Sequence, residues 1–348
     1  MSFPSVPNYS KNQIRKAGDI LISENRNEQD KEWALEVLSK WRSCHAYPLN
    51  TFNATLRGNI KIVDKKGLVA QRLKRMPTII NKLKLNSSMN LSTMQDIGGV
   101  RAIVNTINQV RQLRDIYYQK NRFKHELKQE KDYITNPKDD GYRSVHLVFK
   151  YKNNSHKARQ YNRLLLEIQI RTRLQHVWAT AVETIGTLRN QAYKSKQGEK
   201  EWREFFAVTS SAFAHIEKLP LVPGYENMLK EATFQAVKQK EKDLGVLNTI
   251  SGYSVALNLI EKQKKNWFYH LITLNTQNRT VTVKSYSRDN LRNATDDYAK
   301  AEARATQGEK IESVLVSAGP LKSLRRAYPN YFLDISDFIG VVKNIVAV

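Results

Sequence analysis

The sequence predicts an α/β fold of the α+β kind, a modest mixed sheet flanked by helices, and three observations carry that prediction. Apolar residues recur at helical spacing before and after a central stretch. Inside that stretch short β-rich runs stand at 100–104, 144–151 and 164–171. Turn-forming residues separate the runs, so helices and a few strands share one layered domain.

Taken in order, Trp33, Ala34, Val37, Leu38 and Trp41 recur as an amphipathic stripe, which predicts an early helix. Pro77 is suited to a first helical turn, and Ile79, Ile80 and Leu83 would then face inward. The pair Gly98-Gly99 opens the first β-rich run, and a helix is expected over 108–120. After Thr172 the pattern is helical to about residue 190. Two prolines and a glycine in Leu219-Pro220-Leu221-Val222-Pro223-Gly224 predict a break, and domains of 1–225 and 226–348 are expected around it. Past the break, 265–287 alternates like a hairpin around Asn275-Thr276-Gln277-Asn278. An amphipathic helix with Phe338, Val341, Val342 and Ile345 closes the chain, so the C-terminal region reads as α+β.

Charge limits the partners. In 348 residues, 57 Lys and Arg stand against 33 Asp and Glu, a net charge of +24. Residues 226–348 hold 18 and 13 of these, which leaves a net +19 for residues 1–225. A field of that sign suits a polyanion. The single cysteine, Cys44, excludes an internal disulfide and a multi-cysteine zinc site, and reads as a buried helix residue. No apolar run approaches the roughly 20 residues of a membrane span or forms a signal peptide, so a cytoplasmic protein without membrane association is expected.

Chemistry concentrates in three segments. In a strand, Glu167, Gln169 and Arg171 lie on one face and Ile168 and Ile170 on the other. That pattern fits a solvated edge strand, or a carboxylate, an amide and a guanidinium aimed into a cleft. Asp96 immediately precedes the strand that carries Arg101; with Glu167 it would supply the two carboxylates with which Mg²⁺ joins substrate phosphates. Arg72, Lys74 and Arg75 stand before the helix expected at Pro77, with Lys82 one to two turns on, an arrangement suited to an anion. In the loop after Lys131, Gly141-Tyr142 offers an aromatic surface beside a flexible hinge, with Lys138 and Arg143 nearby as phosphate-neutralising cations.

These segments, MQDIGGVRAIV, KDYITNPKDDGYRSVH and LLLEIQIRTRLQHVWATAVE, resemble in order and spacing the synthetase domain of the RelA/SpoT family over about residues 45–190. The resemblance implies a nucleotidyltransferase-like fold and transfer of pyrophosphate from ATP to a ribose 3′-hydroxyl, with Mg²⁺ as cofactor. It implies Asp96 and Glu167 as the metal and base pair, and Arg72, Lys74, Lys82 and Arg101 around ATP. It further implies Tyr142 stacking on the acceptor base, with Lys131, Lys138, His146, Gln169 and Arg171 completing the acceptor side. His45 and His125 lack adjoining Asp residues, so a hydrolase segment is not expected. The family offers two acceptors, GDP or GTP in the small alarmone synthetases and the CCA end of tRNA in a toxic subgroup. The charge of residues 1–225 favours tRNA, with Lys11, Arg15, Lys16, Lys120, Arg122 and Lys124 as candidate backbone contacts. Tyr328 and Tyr331, in a YPNY segment near the end, resemble the YxxY of CapRel-type fused toxin–antitoxin proteins. That likeness implies autoinhibition by the C-terminal region and release by a phage protein. A non-catalytic RNA-binding module is the reading from another class.

Overall fold

Leu165–Thr172 form the strand β5, which is buried along nearly its whole length and paired on both sides, so it lies at the centre of a sheet and not at its edge. The computed structural model describes residues 3–25, 27–74, 76–119, 122–188, 199–262, 267–275, 277–278, 280–307, 309–317 and 331–348. Contacts divide the chain into two units, one of Met1–Tyr133 with Ser144–Arg173, the other of Ile134–Arg143 with Leu174–Val348. The break at Pro220 therefore lies inside the second unit, and the segment before it shares a core with the residues after it.

The first unit begins with three helices, α1 (Lys11–Ile22), α2 (Glu28–Ser43) and α3 (Ala46–Val63). Ser10 caps α1 through a reciprocal capping box with Gln13, and Asn27 caps α2 by accepting from Asp30 N–H. β1 (Leu68–Leu73) and α4 (Met76–Leu85) follow, with Pro77 in the first turn as expected. β2 (Gly98–Val104), α5 (Ile107–Ile116), β3 (Glu126–Asp132) and β4 (Val145–Lys150) then lead to β5. α5 ends four residues before the expected 120, where Tyr117 caps it.

The five-stranded sheet has the order β1-β2-β5-β4-β3, with β2 and β5 parallel and the other neighbours antiparallel. It is thus a mixed sheet flanked by helices. Val100, Ala102, Ile168, Ile170 and Leu147 are buried on the side where α3 and α5 pack. Gly98 has no Cβ because one would lie 2.7 Å from Leu166 Cδ1. Ile14, Leu21, Val37, Leu38, Ile79 and Leu83 build a separate core among α1, α2 and α4.

Two edge strands escape prediction from the sequence. β1 is largely exposed, and β3 reads ELKQEKD with no apolar alternation. β3 is held by pairing with β4 and by charge: Arg111 meets Asp132 at 2.6 Å, and Arg114 meets Glu130 at 2.6 Å.

In the second unit, α6 (Arg173–Leu188), which continues directly from β5, α7 (Lys200–Glu217), α8 (Lys230–Leu244) and α9 (Val246–Lys262) contribute helices to one core. The expected hairpin exists as β6 (Tyr269–Asn275) and β7 (Thr280–Tyr286). After α10 (Leu291–Thr306), β8 (Ile311–Ser317) completes a three-stranded sheet in the order β7-β6-β8. The last helix, α11 (Tyr331–Val346), buries Ile335, Phe338, Val342 and Ile345. Among the described residues no helix is long and apolar enough to cross a membrane.

Gly141 is packed too closely to carry a side chain. Its φ is +91°, and an added Cβ would lie 2.8 Å from Ser210 Cβ and 2.9 Å from Trp178 Cζ2. The flexible hinge expected there is instead a locked contact, because no side chain fits and the backbone conformation excludes most residues. Gly141→Ala is expected to destabilise this unit by about 2–5 kcal/mol, from left-handed strain plus overpacking. Urea denaturation followed by the fluorescence of Trp178 and Trp202 checks it, and an unshifted midpoint would count against the packing described.

Candidate active site

The sheet register assembles one polar row across four strands. Arg101 stands opposite Gln169, Gln169 opposite His146, and His146 opposite Lys131. Gly99 stands opposite both Glu167 and Arg72, which puts those two side chains on the same face. On that face Gln169 Nε2 donates to Glu167 Oε2 at 2.7 Å, and Arg101 Nε donates to Gln169 Oε1 at 3.3 Å. His146 Nδ1 lies 2.7 Å from Glu167 Oε1. The expected carboxylate and amide are therefore linked side by side, but the guanidinium beside them is that of Arg101 and not Arg171, and a histidine closes the row.

Burial works against ionisation of Glu167, but the charge and hydrogen bond of His146, helped by Gln169, outweigh it even with Asp96 opposing, and hold the carboxyl at about 2. Glu167 is consequently an anion throughout the neutral range.

Asp96 lies in the loop before β2, and two lysines converge on its Oδ2. Lys74, just past β1, is at 2.6 Å and Lys82, on α4, is at 2.8 Å. Burial opposes the charge on Asp96, yet the two ammonium groups win and keep its carboxyl far below the usual carboxylate range. Burial pulls Lys74 below its ordinary value, with Asp96 acting in the opposite direction. Arg42 Nε donates to the Lys74 carbonyl at 2.6 Å, anchoring the backbone that carries this lysine. Glu167 senses the negative charge of Asp96, so the two carboxylates share one electrostatic neighbourhood.

The structure thus brings together Asp96, Lys74 and Lys82, and separately links Glu167, Gln169, Arg101 and His146. Arg72 is exposed on the edge strand, and Lys131 is exposed at the far end of the row. Arg171 lies on the face of Glu167 but is 1% exposed, so its guanidinium is enclosed by protein. Lys138 and Tyr142 belong to the second unit, where the Lys138 ammonium sits 5.3 Å from the centre of the Tyr142 ring. Arg143, expected as a surface cation, is 3% exposed and donates to Ser210 Oγ and to the carbonyls of Ile134 and Pro220. Its charge is spent on the protein, so it does not neutralise a ligand.

Of the cations proposed for a polyanion, Lys11, Arg15 and Lys16 project from α1 and are exposed, as are Arg122 and Lys124, while Lys120 lies outside the described residues. Arg15 also pairs with Asp19 at 3.7 Å. Tyr328 lies outside the described residues, and Tyr331 is the first residue of α11. Cys44 is buried, its Sγ donates to the Trp41 carbonyl, and burial pushes the thiol up to about 12, which suits an inert core residue. His45 bonds the Trp41 carbonyl through Nδ1, and His125 Nδ1 accepts from Lys152 N–H, so both serve the fold.

Tyr133 is the residue the sequence reading passed over. Its ring packs edge-on to His146 with centroids 5.2 Å apart, and its N–H donates to the Ser144 carbonyl. The signal was available: Tyr133 follows Lys131 by two positions, the spacing that keeps side chains on one face of an extended chain.

Residues 71–197 match the family model described as a region found in RelA / SpoT proteins. That span contains Arg72, Lys74, Lys82, Asp96, Arg101, Lys131, Lys138, Tyr142, His146, Glu167, Gln169 and Arg171, and the resemblance drawn from the three motifs is borne out for it. Over 134 residues the chain is 30% identical to GTP pyrophosphokinase YjbM of Bacillus subtilis (strain 168), a stretch covering 38% of this chain and 60% of that protein. Over 115 residues it is 32% identical to GTP pyrophosphokinase YwaC of the same organism, covering 31% and 52%. The chain therefore spans only about half to three-fifths of the length of these relatives. Among solved structures it is similar to the small alarmone synthetase 1 from Bacillus subtilis bound to its product pppGpp, with a TM-score of 0.43 and 23% identity over 50% of this chain and 89% of that one. A GTP pyrophosphokinase family protein from Streptococcus pneumoniae gives a TM-score of 0.41 at 23% identity over 54% and 92%.

Proposed function

We propose that this chain, whose residues 71–197 are a RelA/SpoT region, is an ATP-dependent pyrophosphokinase that transfers the β,γ-pyrophosphate of ATP to a ribose 3′-hydroxyl. The observation that carries the reading is the convergence of Asp96, Lys74 and Lys82 in the same electrostatic neighbourhood as Glu167, an anion at neutral pH. The new bond forms between the acceptor 3′-oxygen and Pβ, the Pα–O–Pβ bridge breaks, and AMP leaves with the bridging oxygen.

The donor set fits a hard divalent cation. Asp96 Oδ1 is buried and has no hydrogen-bond partner among the described residues, while Oδ2 is held by the lysines. No group of three or more His, Cys, Asp or Glu suited to a metal occurs among the described residues. Two carboxylates with substrate phosphates is the usual way Mg²⁺ is held, so Asp96 and Glu167 would be its protein ligands. Bound there, Mg²⁺ would offset negative charge on the phosphate oxygens.

The remaining work falls to side chains. Lys74 and Lys82 place two positive charges where the polyphosphate gathers charge in the transition state, and Arg101 and Arg72 extend that surface along the sheet. Glu167 receives the proton of the attacking hydroxyl. A carboxyl held at about 2 is a weak acceptor, but phosphoryl transfer through a loose transition state needs a well-aimed hydroxyl more than a strong base. His146 and Gln169 supply the aim by fixing both carboxylate oxygens.

For the acceptor, the 3′ end of tRNA is supported by the net +19 of residues 1–225 and by exposed Lys11, Arg15, Lys16, Arg122 and Lys124. The names of the two relatives favour a second reading, a small alarmone synthetase acting on GDP or GTP. In an assay with labelled ATP, Mg²⁺ and either deacylated tRNA or GDP, label is expected in tRNA. Label in the guanosine nucleotide alone establishes the second reading, and label in neither returns the chain to an RNA-binding module.

Restraint of residues 1–225 by residues 226–348 through Tyr328 and Tyr331, with release by a phage protein, belongs to the same proposal. Truncation before Leu321 would strip Ile335, Phe338, Val342 and Ile345 from their core, so a point variant isolates the effect better. Tyr331→Ala is expected to raise toxicity in growing cells at equal expression, and unchanged growth would count against restraint.

A further inference from the structure

We infer that Ser210 and Arg143 are positioning residues for the acceptor, a role assigned to side chains that themselves touch no substrate. The inference rests on the reading of Tyr142 as the surface on which the acceptor base stacks.

The loop Ile134–Arg143 belongs by its contacts to the second unit, although both strands that flank it are in the first. It is a tight structure. Gly141 N–H donates to the Lys138 carbonyl at 2.8 Å, and Tyr142 N–H donates to Asp140 Oδ1 at 2.9 Å. These bonds present Lys138 and Tyr142 as a pair.

One hydroxyl fastens this loop to α7. Ser210 Oγ–H donates to the Gly141 carbonyl at 2.6 Å, and the same oxygen accepts from Arg143 Nε at 3.1 Å. The residues on either side of Tyr142 are thus both tied to a single atom. Arg143 then reaches the start of the loop at the Ile134 carbonyl, 3.2 Å away, and the chain beyond α7 at the Pro220 carbonyl, 2.7 Å away. Ser210 and Arg143 are each 3% exposed, so the bonds to Gly141, Ser210 and Ile134 are buried, while the one to Pro220 is partly buried. Contact at Gly141 is close enough to exclude a Cβ, so the loop has no slack against α7.

A buried arginine is costly, and here desolvation holds the guanidinium below its ordinary value, with the charge of Glu217 acting in the opposite direction. Packing alone would be met by an apolar residue at lower cost. The fixed fork of donors instead ties two backbone carbonyls and the Ser210 hydroxyl at once, which suits a planar guanidinium. Ser210 and Pro220 both lie outside the span 71–197, so the orientation of the acceptor platform is set by a part of the chain beyond the matched region.

The test uses the full chain with labelled ATP and, as acceptors, GDP and deacylated tRNA. Ser210→Ala and Arg143→Gln are each expected to raise the acceptor KM about tenfold, the scale of a lost buried hydrogen bond, with the ATP KM unchanged. Because the two act through one junction, the double variant should raise it no further than the larger single effect. Hydrogen exchange across 134–143 should quicken in both variants. If Arg143→Gln does not fold, Ser210→Ala with Arg143→Lys carries the test, and Lys is expected not to restore the acceptor KM. An acceptor KM that Ser210→Ala leaves unmoved, while Tyr142→Ala raises it, overturns the inference alone. Equal rises in both KM values, from a general loosening, overturn it too. Tyr142→Ala without effect on the acceptor KM removes the reading of Tyr142 and the inference together.

Discussion

Glu167→Gln is expected to lower turnover by about 10²–10⁴-fold with the chain still folded, the range lost when a positioned proton acceptor is removed. Gln keeps the shape of the side chain but has one acceptor oxygen where Glu167 offers two, so the loss combines the missing charge with one of the two bonds to His146 and Gln169. The same substitution alters acid stability in a defined window. The folded carboxyl is held at about 2 against an ordinary 4.5, so between these values the unfolded chain binds more protons and stability rises with pH. The contribution is fully present above about pH 4.5 and disappears as pH falls through about 2, amounting to about 3 kcal/mol at most. Urea midpoints measured from pH 6 down to pH 2 should fall more steeply for the native chain than for Glu167→Gln. Near-native turnover in the variant would remove Glu167 from the chemistry, and parallel acid curves would remove the ion pair with His146.

Asp96→Asn is expected to abolish most activity and to cost about 3–5 kcal/mol, the scale for stranding a buried charge by removing its partner. Lys74 is only 7% exposed and has its ammonium on Asp96, so the variant leaves a buried cation beside Lys82 with no anion opposite. Burial already holds Lys74 below its ordinary 10.5, and losing Asp96 lowers it further. An unfolded lysine then binds more protons than the folded one, so stability rises with pH as the folded ammonium deprotonates. The unfolding midpoint of Asp96→Asn should therefore recover as pH rises toward the ordinary lysine value of 10.5, closing on that of the native chain. A gap that stays constant across this range would show that Lys74 is not the stranded charge.

The face bearing Glu167, Gln169 and Arg171 was legible because a strand alternates with period two, and ELKQEKD was not legible because β3 has no apolar side to alternate. β1 and β3 exist through backbone pairing at the sheet edges and, for β3, through arginines from α5, partners that no local window contains. Asp96 could be named as a carboxylate before a strand, but its lysines lie 14 and 22 positions away, and only the fold brings them to one oxygen.

The three motifs by themselves determined the residue types, their order and the match of residues 71–197 to a region found in RelA / SpoT proteins, since those are properties of spacing along the chain. Tertiary structure alone decided how each charge is spent. Two arginines 42 positions apart, Arg143 and Arg101, look equivalent as letters. Arg143 is enclosed and committed to Ser210, Ile134 and Pro220, while Arg101 lies in the polar row with Gln169 and Glu167. The difference is desolvation: a guanidinium out of water must satisfy its donors with nearby protein oxygens, and which oxygens are near is settled only when the chain is packed.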